Sequence, residues 1–451
     1  MDKIKEKVFS FINKNNMLKD VSTVYVATSG GADSMALLAF MNENKNRLGI
    51  SVKAVHVNHG IRDITADRDE TFVSNYCKNH NIPFTAFNAK KDGIVVPENA
   101  SEDWARELRY GYFSRLITGN HIRIATAHTL SDQTETVIFR MSRGCGLNGM
   151  TGIPAVRDEF IRPFLCLTRA EIEQLVDYYG TSNITDETNL SDDYARNKIR
   201  HHVVPVMKAI NPDAEVAVGK VCDRISAAYN YIHKVAEQTI NSCQKNKYIY
   251  DIAAFVNADD VIVDEMISII LNEHECMNEN YFSLIKKALK KVKEDETETL
   301  ISEFQVSDTK SIMITNKYLS VNIKNIANIP VQEGINVYSH LGYVIEVREV
   351  TKEEFEADTK DKRNLAFYAD ADKLNLKSLF ISARKDGEKF KPACRVRNKV
   401  TNLMRNRALC ERDYIPMIKS DMSIIYMWNL GFTDGYTPTP STQKIYKVVS
   451  Y

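Results

Sequence analysis

Between Val24 and about Ala127 short β-branched runs alternate with longer stretches of helical period. Residues 24 to 27, Val52 to Val57, Pro83 to Phe87 and Arg123 to Ala127 predict strands, and 33 to 47, 65 to 80, 98 to 118 and 131 to 142 predict helices. That alternation is the pattern of βαβ units, so a Rossmann-like α/β fold is predicted, with a parallel sheet and helices on both faces. In such a sheet the ligand lies beyond the carboxyl ends of the strands, where the turns after Ala27, at Asn58-His59-Gly60 and at Ala127-His128 converge. A helix is predicted over 168 to 179, after Pro163, and a polar irregular stretch over 185 to 200. Asn211-Pro212-Asp213 is a turn signal and marks a boundary. Residues 213 to about 300 read as mostly helical, with Leu284, Ile285, Ala288, Leu289 and Val292 on one face against Lys286, Lys287, Lys290 and Lys291. Alternating strands take over from Ile301 to Ile323, and the charged run Glu353 to Arg363 reads as a linker or long loop. The expected domains are 1 to 212, 213 to 330 (mainly helical) and 331 to 451 (α+β).

Size and charge refine this picture. A chain of 451 residues is too long for one ordinary core. With 59 basic and 59 acidic residues, any nucleic-acid surface has to come from local clustering. One cluster exists: from Arg384 to Arg412 there are ten basic residues against three acidic ones, an excess that suits a phosphate backbone. Eight cysteines are scattered with no CxxC pair, which argues against a zinc ribbon, an iron–sulfur site or a disulfide framework. Reduced thiols are expected, and with Met35 to Met41 as the longest apolar run, far short of a bilayer span, so is a cytoplasmic protein.

The candidate chemistry begins at Ser29-Gly30-Gly31-Ala32-Asp33-Ser34, between a predicted strand and a predicted helix. Glycines there remove Cβ atoms, permit positive φ and leave a row of N–H groups at a helix N-terminus, which is a phosphate site. The Walker spacing GxxxxGK followed by Ser or Thr is absent, so cleavage between β and γ phosphates is not indicated. Gly144 to Gly149 matches GxGxxG but follows a helical run instead of a strand, and reads as a connector. In the stretch Ala127 to Thr136, Asp132 and Glu135 are three apart and share a helix face, with His128 at the strand end; two carboxylates there suit Mg²⁺ or an amine. Glu102, Arg106 and Arg109 form one helical stripe beside Tyr110, for which an internal Glu102–Arg106 pair is the ordinary explanation. Asp186, Asn189, Tyr194, Arg196, Asn197 and Arg200 make a last polar group, with arginines suited to bidentate contact with phosphate or carboxylate.

In order and spacing, SGGADS (29 to 34), HVNHGIR (56 to 62), ExxARxxRY (102 to 110), TAHTLSDQTET (126 to 136), RGCGLNGMTGI (143 to 153), RP (162 to 163) and DETNLSDDYARNKIR (186 to 200) resemble the tRNA(Ile)-lysidine synthase family. These are N-type ATP pyrophosphatases of the PP-loop superfamily, with an adenine nucleotide alpha hydrolase-like fold. RKDGEKFKP (384 to 392) and ERDYIP (411 to 416) are similar to the family's C-terminal domain. The resemblance implies a ligase that uses ATP and Mg²⁺ to adenylate the wobble cytidine of the CAU-anticodon isoleucine tRNA, releasing pyrophosphate. The ε-amine of free L-lysine then displaces AMP. It further implies that Ser29, Gly30, Gly31, Ala32, Asp33 and Ser34 hold pyrophosphate, with Ala27, His56, Asn58 and His128 completing the nucleotide site. Asp33, Arg106, Asp132, Glu135 and Arg196 would be catalytic, with Asp33 and Asp132 as metal ligands. Arg200, Arg384, Lys389, Arg395, Arg397 and Lys399 would contact tRNA, and the family is commonly dimeric.

Thr129 and Ser131 stand where the family usually has His and Asp, and Arg395 to Lys399 stands where a glycine-lysine turn is common. Three other readings stay open: a tRNA thiolase on the same loop, which usually carries paired CxxC cysteines; an amide synthetase, which leaves the basic C-terminal cluster unexplained; and an inactive tRNA-binding homologue.

Overall fold

The structure is a computed structural model that describes residues 1–61, 63–97, 100–181, 195–323, 328–338, 343–360, 366–383, 388–393, 398–404, 407–412, 414–421 and 423–450. It divides into two compact units, Met1–Asn230 and Tyr231–Tyr451.

Among the described residues the first unit is built on six strands: β1 Thr23–Ala27, β2 Ser51–Asn58, β3 Phe84–Asn88, β4 Ile122–Ala125, β5 Val156–Arg157 and β6 Phe160–Ile161. Their order is β3-β2-β1-β4-β6-β5, parallel except for the edge hairpin β5–β6. Its helices are α1 Asp2–Lys14, α2 Ala32–Glu43, α3 Lys45–Leu48, α4 Asp63–Asn79, α5 Glu102–Leu116, α6 Leu130–Ser142, α7 Leu147–Met150, α8 Arg169–Tyr179, α9 Ala195–Lys198 and α10 Val204–Ile210, with the first part of α11 Ala214–Cys243, which continues past Asn230. The strand order decides where a ligand can sit. The chain leaves β1 toward β2 and β3, then returns to the other side of β1 with β4, so the loops after β1 and β4 part in opposite directions and open a crevice between them.

Helix α2 is buried from Ser34 through Met41, as its all-round apolar run predicts, with Phe40 edged by Phe9 of α1 and by Phe164. The predicted helix 33 to 47 breaks at Asn44, whose amide donates to the Phe40 carbonyl and competes with the next helical turn. The predicted strand 123 to 127 stops at Ala125, because after the Thr126 N–H donates to Ile161 the chain leaves the ladder. Helix α1 and the β5–β6 hairpin were not predicted; α1 buries only Ile4, Val8, Phe9 and Ile12, a narrow stripe on a charged segment. The Gly144–Gly149 string does follow a helix, α6, and leads into α7.

Among its described residues the second unit holds two large cores. Around Ile267, Ile270 and Leu271 pack the helices Ile252–Asn257, Asp260–Glu273 and Glu279–Leu289 and a five-stranded antiparallel sheet. Two of that sheet's strands, Gln244–Asn246 and Ile249–Asp251, interrupt the stretch read as helical. On Glu279–Leu289 the apolar face is narrower than its sequence suggests: Ile285 and Ala288 are buried and Leu284 is exposed. The second core, around Ile345, Met417 and Tyr426, lies among the C-terminal strands, and short helices complete an α+β arrangement. The charged segment read as a linker is instead a helix, Lys352–Lys360. Its N-terminus is capped by the Thr351 hydroxyl accepting from the Glu354 N–H, and Asp358 takes Lys447 and the Tyr368 hydroxyl, each at 2.6 Å. Polar docking of this kind leaves no apolar period to read. Among the described residues no helix is long and apolar enough to cross a membrane.

Candidate active site

The loop after β1 is braced from within. Gly30 takes φ +90°, a left-handed value that only glycine adopts without strain, and Gly31 is extended just ahead of α2. The Ser34 hydroxyl donates to the Gly31 carbonyl at 2.9 Å and accepts from the Ser29 N–H at 3.2 Å, closing Ser29 to Ser34 into a ring. Beneath it, buried His56 donates through Nδ1 to the Thr28 carbonyl at 2.8 Å, and the Thr28 hydroxyl donates to Val55 at 3.0 Å. Burial lowers the His56 pKa, which suits a neutral ring that braces a strand end. The Asn58 amide is also committed locally: its nitrogen donates to Asp67 and Glu70, and its oxygen accepts from the Gly60 N–H.

Across the crevice, α6 begins with a cap. The Thr129 N–H and hydroxyl donate to one Asp132 oxygen, Oδ2, at 2.8 and 3.0 Å. The other, Oδ1, stands 3.7 Å from Arg200, so this carboxylate is half committed to the helix and half turned to the site. Glu135 is buried and held by Arg200 in a fork, Nε at 2.6 Å and Nη2 at 3.1 Å. Burial raises the Glu135 pKa and Arg200 opposes the rise. Asp33 is raised as well, first by burial, with the Asp132 charge adding to it and Arg169 opposing. Asp33 stands in the first turn of α2, after β1, and Asp132 in the first turn of α6, after β4, so each side of the switch point presents a carboxylate.

His128, just ahead of α6, hydrogen-bonds Thr126 Oγ1 through Nδ1 at 2.9 Å. Burial pushes its pKa down to about 4 against the pull of Asp132, and Arg162, Arg106 and Arg196 push the same way. The imidazole is therefore held neutral. Arg106 donates to the Tyr110 hydroxyl at 3.1 Å and lies over its ring, and buried Arg162 donates to the Pro154 carbonyl at 2.7 Å.

Ala27, Ser29 to Ser34, His56, Asn58, Arg106, His128, Asp132, Glu135, Arg196 and Arg200 thus all lie in the first unit. Arg200, expected to contact tRNA, is placed on the two α6 carboxylates. Lys389 is exposed in the second unit, on a two-stranded pairing with Asn398–Lys399. Arg384, Arg395 and Arg397 lie outside the described residues, as do Asp186, Asn189 and Tyr194 and the side chains of Glu102 and Lys399.

Three residues escaped the sequence reading. Arg169 at the start of α8 reaches Asp33 at 2.8 Å. Glu215 of α11, also buried, accepts from the Ser131 hydroxyl at 2.8 Å and pairs with Lys208 at 2.9 Å. Thr28 carries the His56 brace. Only the LTRAEI run near Arg169 offers a signal, a cation at the first position of a helix, where the dipole disfavours it.

A glycine loop at the switch point, without a lysine and faced by carboxylates, defines a nucleotide site of the PP-loop class, and the PP-loop domain family matches residues 1–207. The likeness extends beyond that domain. A tRNA(Ile)-lysidine synthase from Clostridium perfringens is 30% identical, the match covering 99% of this chain and 98% of that one. One from Clostridioides difficile is 30% identical over 98% of both chains. Another, from Thermotoga maritima, is 36% identical over 55% of this chain and 59% of its own. The chain belongs to the tRNA(Ile)-lysidine synthase family, ATP-using ligases that modify tRNA.

Proposed function

We propose that this chain joins free L-lysine to the wobble cytidine of the CAU-anticodon isoleucine tRNA in the cytoplasm, through an adenylated base. The observation that carries the reading is a braced phosphate loop without a Walker lysine after β1, facing the Asp132–Glu135 start of α6 after β4 across the switch point. Such a loop holds the β and γ phosphates as pyrophosphate and leaves the α phosphate to the incoming base oxygen. A cytosine carbonyl oxygen leaves poorly until it is adenylated; ATP supplies that activation, and the deprotonated lysine amine then expels AMP.

The side chains divide this work. Asp132 Oδ1 is the carboxylate oxygen open to a cation, since Oδ2 is spent on the helix cap. Glu135 is committed to Arg200 and acts by holding that guanidinium beside Asp132. Arg106 and Arg196, both exposed and both acting on His128, take the adenylate phosphate or the base. Part-exposed carboxylates on the two sides of the switch point suit a divalent cation, so Asp33 and Asp132 are the groups that would hold Mg²⁺. When bound, it would neutralise phosphate charge. The residues from 213 to 330 and the basic segment of 331 to 451 grip the tRNA.

The test is incubation with ATP, Mg²⁺, labelled lysine and the isoleucine tRNA. Lysine is expected to enter the tRNA, and Asp33→Ala and Asp132→Ala are expected to abolish incorporation with tRNA affinity largely intact. ATP–pyrophosphate exchange without lysine incorporation would refute the lysidine reading, and full activity in either variant would refute the carboxylate roles.

A further inference from the structure

We propose that Arg169 is the cation of the pyrophosphate loop, supplied from α8 in place of the lysine that Walker loops carry within themselves. The inference rests on the reading of Ser29 to Ser34 as a pyrophosphate holder. Loop N–H groups alone would set pyrophosphate beside the Asp33 carboxylate, which repels it, and the loop contains no basic residue. Arg169 reaches into this setting: its Nη1 donates to Asp33 Oδ1 at 2.8 Å, and its Nε donates to Glu173 one turn along α8 at 3.0 Å.

Two carboxylates thus fix the guanidinium from two sides. Of its five N–H donors these bonds use two, and about half of the side chain is exposed. The position is electrostatically unusual. Arg169 is the first residue of a helix already closed by a Thr168–Glu171 capping box, where the dipole disfavours positive charge. Nor does stability explain it, because an ion pair this exposed contributes little. A guanidinium held ready, with donors to spare, beside the one carboxylate of a phosphate loop is what a polyanion requires.

The experiment measures equilibrium binding of ATP, inorganic pyrophosphate and AMP to the full-length protein and to Arg169→Ala, Arg169→Gln and Arg169→Lys. Removing the charge should weaken ATP and pyrophosphate at least about tenfold and leave AMP, which has no β or γ phosphate, unchanged; Arg169→Lys should restore part of the loss. Unchanged pyrophosphate and ATP affinity in Arg169→Gln would overturn the proposal, and so would an equal loss for AMP. If Arg169→Ala fails to fold, the comparison of Arg169→Gln with Arg169→Lys decides, with equal affinities in the two refuting a role for the charge. A wild-type protein that binds neither ATP nor pyrophosphate would instead refute the loop reading itself.

Discussion

Ser131→Asp would install the carboxylate that the family usually carries at this position, and the structure predicts that this chain rejects it. Ser131 Oγ donates to Glu215 Oε1 at 2.8 Å, and Glu215 is buried with Lys208 as its ionic partner. An aspartate there would face a second carboxylate at roughly 4 Å, a repulsion of about 4 kcal/mol at the effective dielectric of such sites. The lost hydrogen bond adds about 1 kcal/mol. Lys208 and the favourable dipole position for an acid in the first turn return part of this, the dipole about 0.5 kcal/mol. A net loss of about 2–4 kcal/mol remains, a fall in melting temperature of roughly 5–15 °C for a unit of this size. Thermal unfolding of the wild type, Ser131→Asp, Glu215→Gln and the double variant measures it, with lysine incorporation run beside. Glu215→Gln should relieve most of the cost of Ser131→Asp, because its amide nitrogen can donate to the new carboxylate. A Ser131→Asp protein that melts within about 2 °C of wild type, or a double variant no more stable than the single, would refute the reasoning.

Arg200→Ala strands Glu135 in the protein interior, and losing one partner of a buried pair costs about 3–5 kcal/mol; since Arg200 is partly exposed, the lower end is expected. Denaturant unfolding measures the cost, and Glu135→Gln in the same protein should recover much of it. His128 binds a proton only at about pH 4 when folded, against 6.5 ordinarily, so the unfolded chain takes up more protons between those values. Stability should therefore fall as pH drops from about 6.5 toward 4, by at most about 3 kcal/mol, and His128→Asn should flatten that slope in unfolding curves across the range. Neutralising Lys389, Arg395, Arg397 and Lys399 together should weaken tRNA binding and lower its salt dependence by up to about 3 in the log–log slope; an unchanged slope would count against a tRNA role for the cluster.

Local rules carried the glycine loop, the parallel sheet and the start of α6. A strand that must end in glycine, and a helix that must begin with acid and threonine, are decided within a dozen residues, and the βαβ spacing leaves few topologies. The helix Lys352–Lys360 escaped because a polar dock on Lys447 and Tyr368 gives little period to read; α1 carried a readable period, Ile4, Val8 and Ile12 at i, i+4 and i+8, inside a segment taken only as polar and mixed in charge. Asp132 was legible as one of two carboxylates on a helix face; that one of its oxygens is spent on the cap of that helix was not.

The amino-acid sequence by itself determined which groups this protein owns: a phosphate loop without lysine, an Asp–Glu pair on one helix face, and arginines downstream. Tertiary structure alone decided which of them meet. Strand order placed Asp33 opposite Asp132, and the packing of α8, α10 and α11 brought Arg169 to the loop and put Lys208 and Glu215 behind Ser131. The turn after α9 carried Arg200 onto Glu135. The physical reason is separation along the chain: Arg169 lies 136 residues from Asp33, Ser131 lies 84 from Glu215 and Glu135 lies 65 from Arg200. No periodicity or propensity spans such distances, and only burial of the sheet and its helices brings those charges within hydrogen-bond reach.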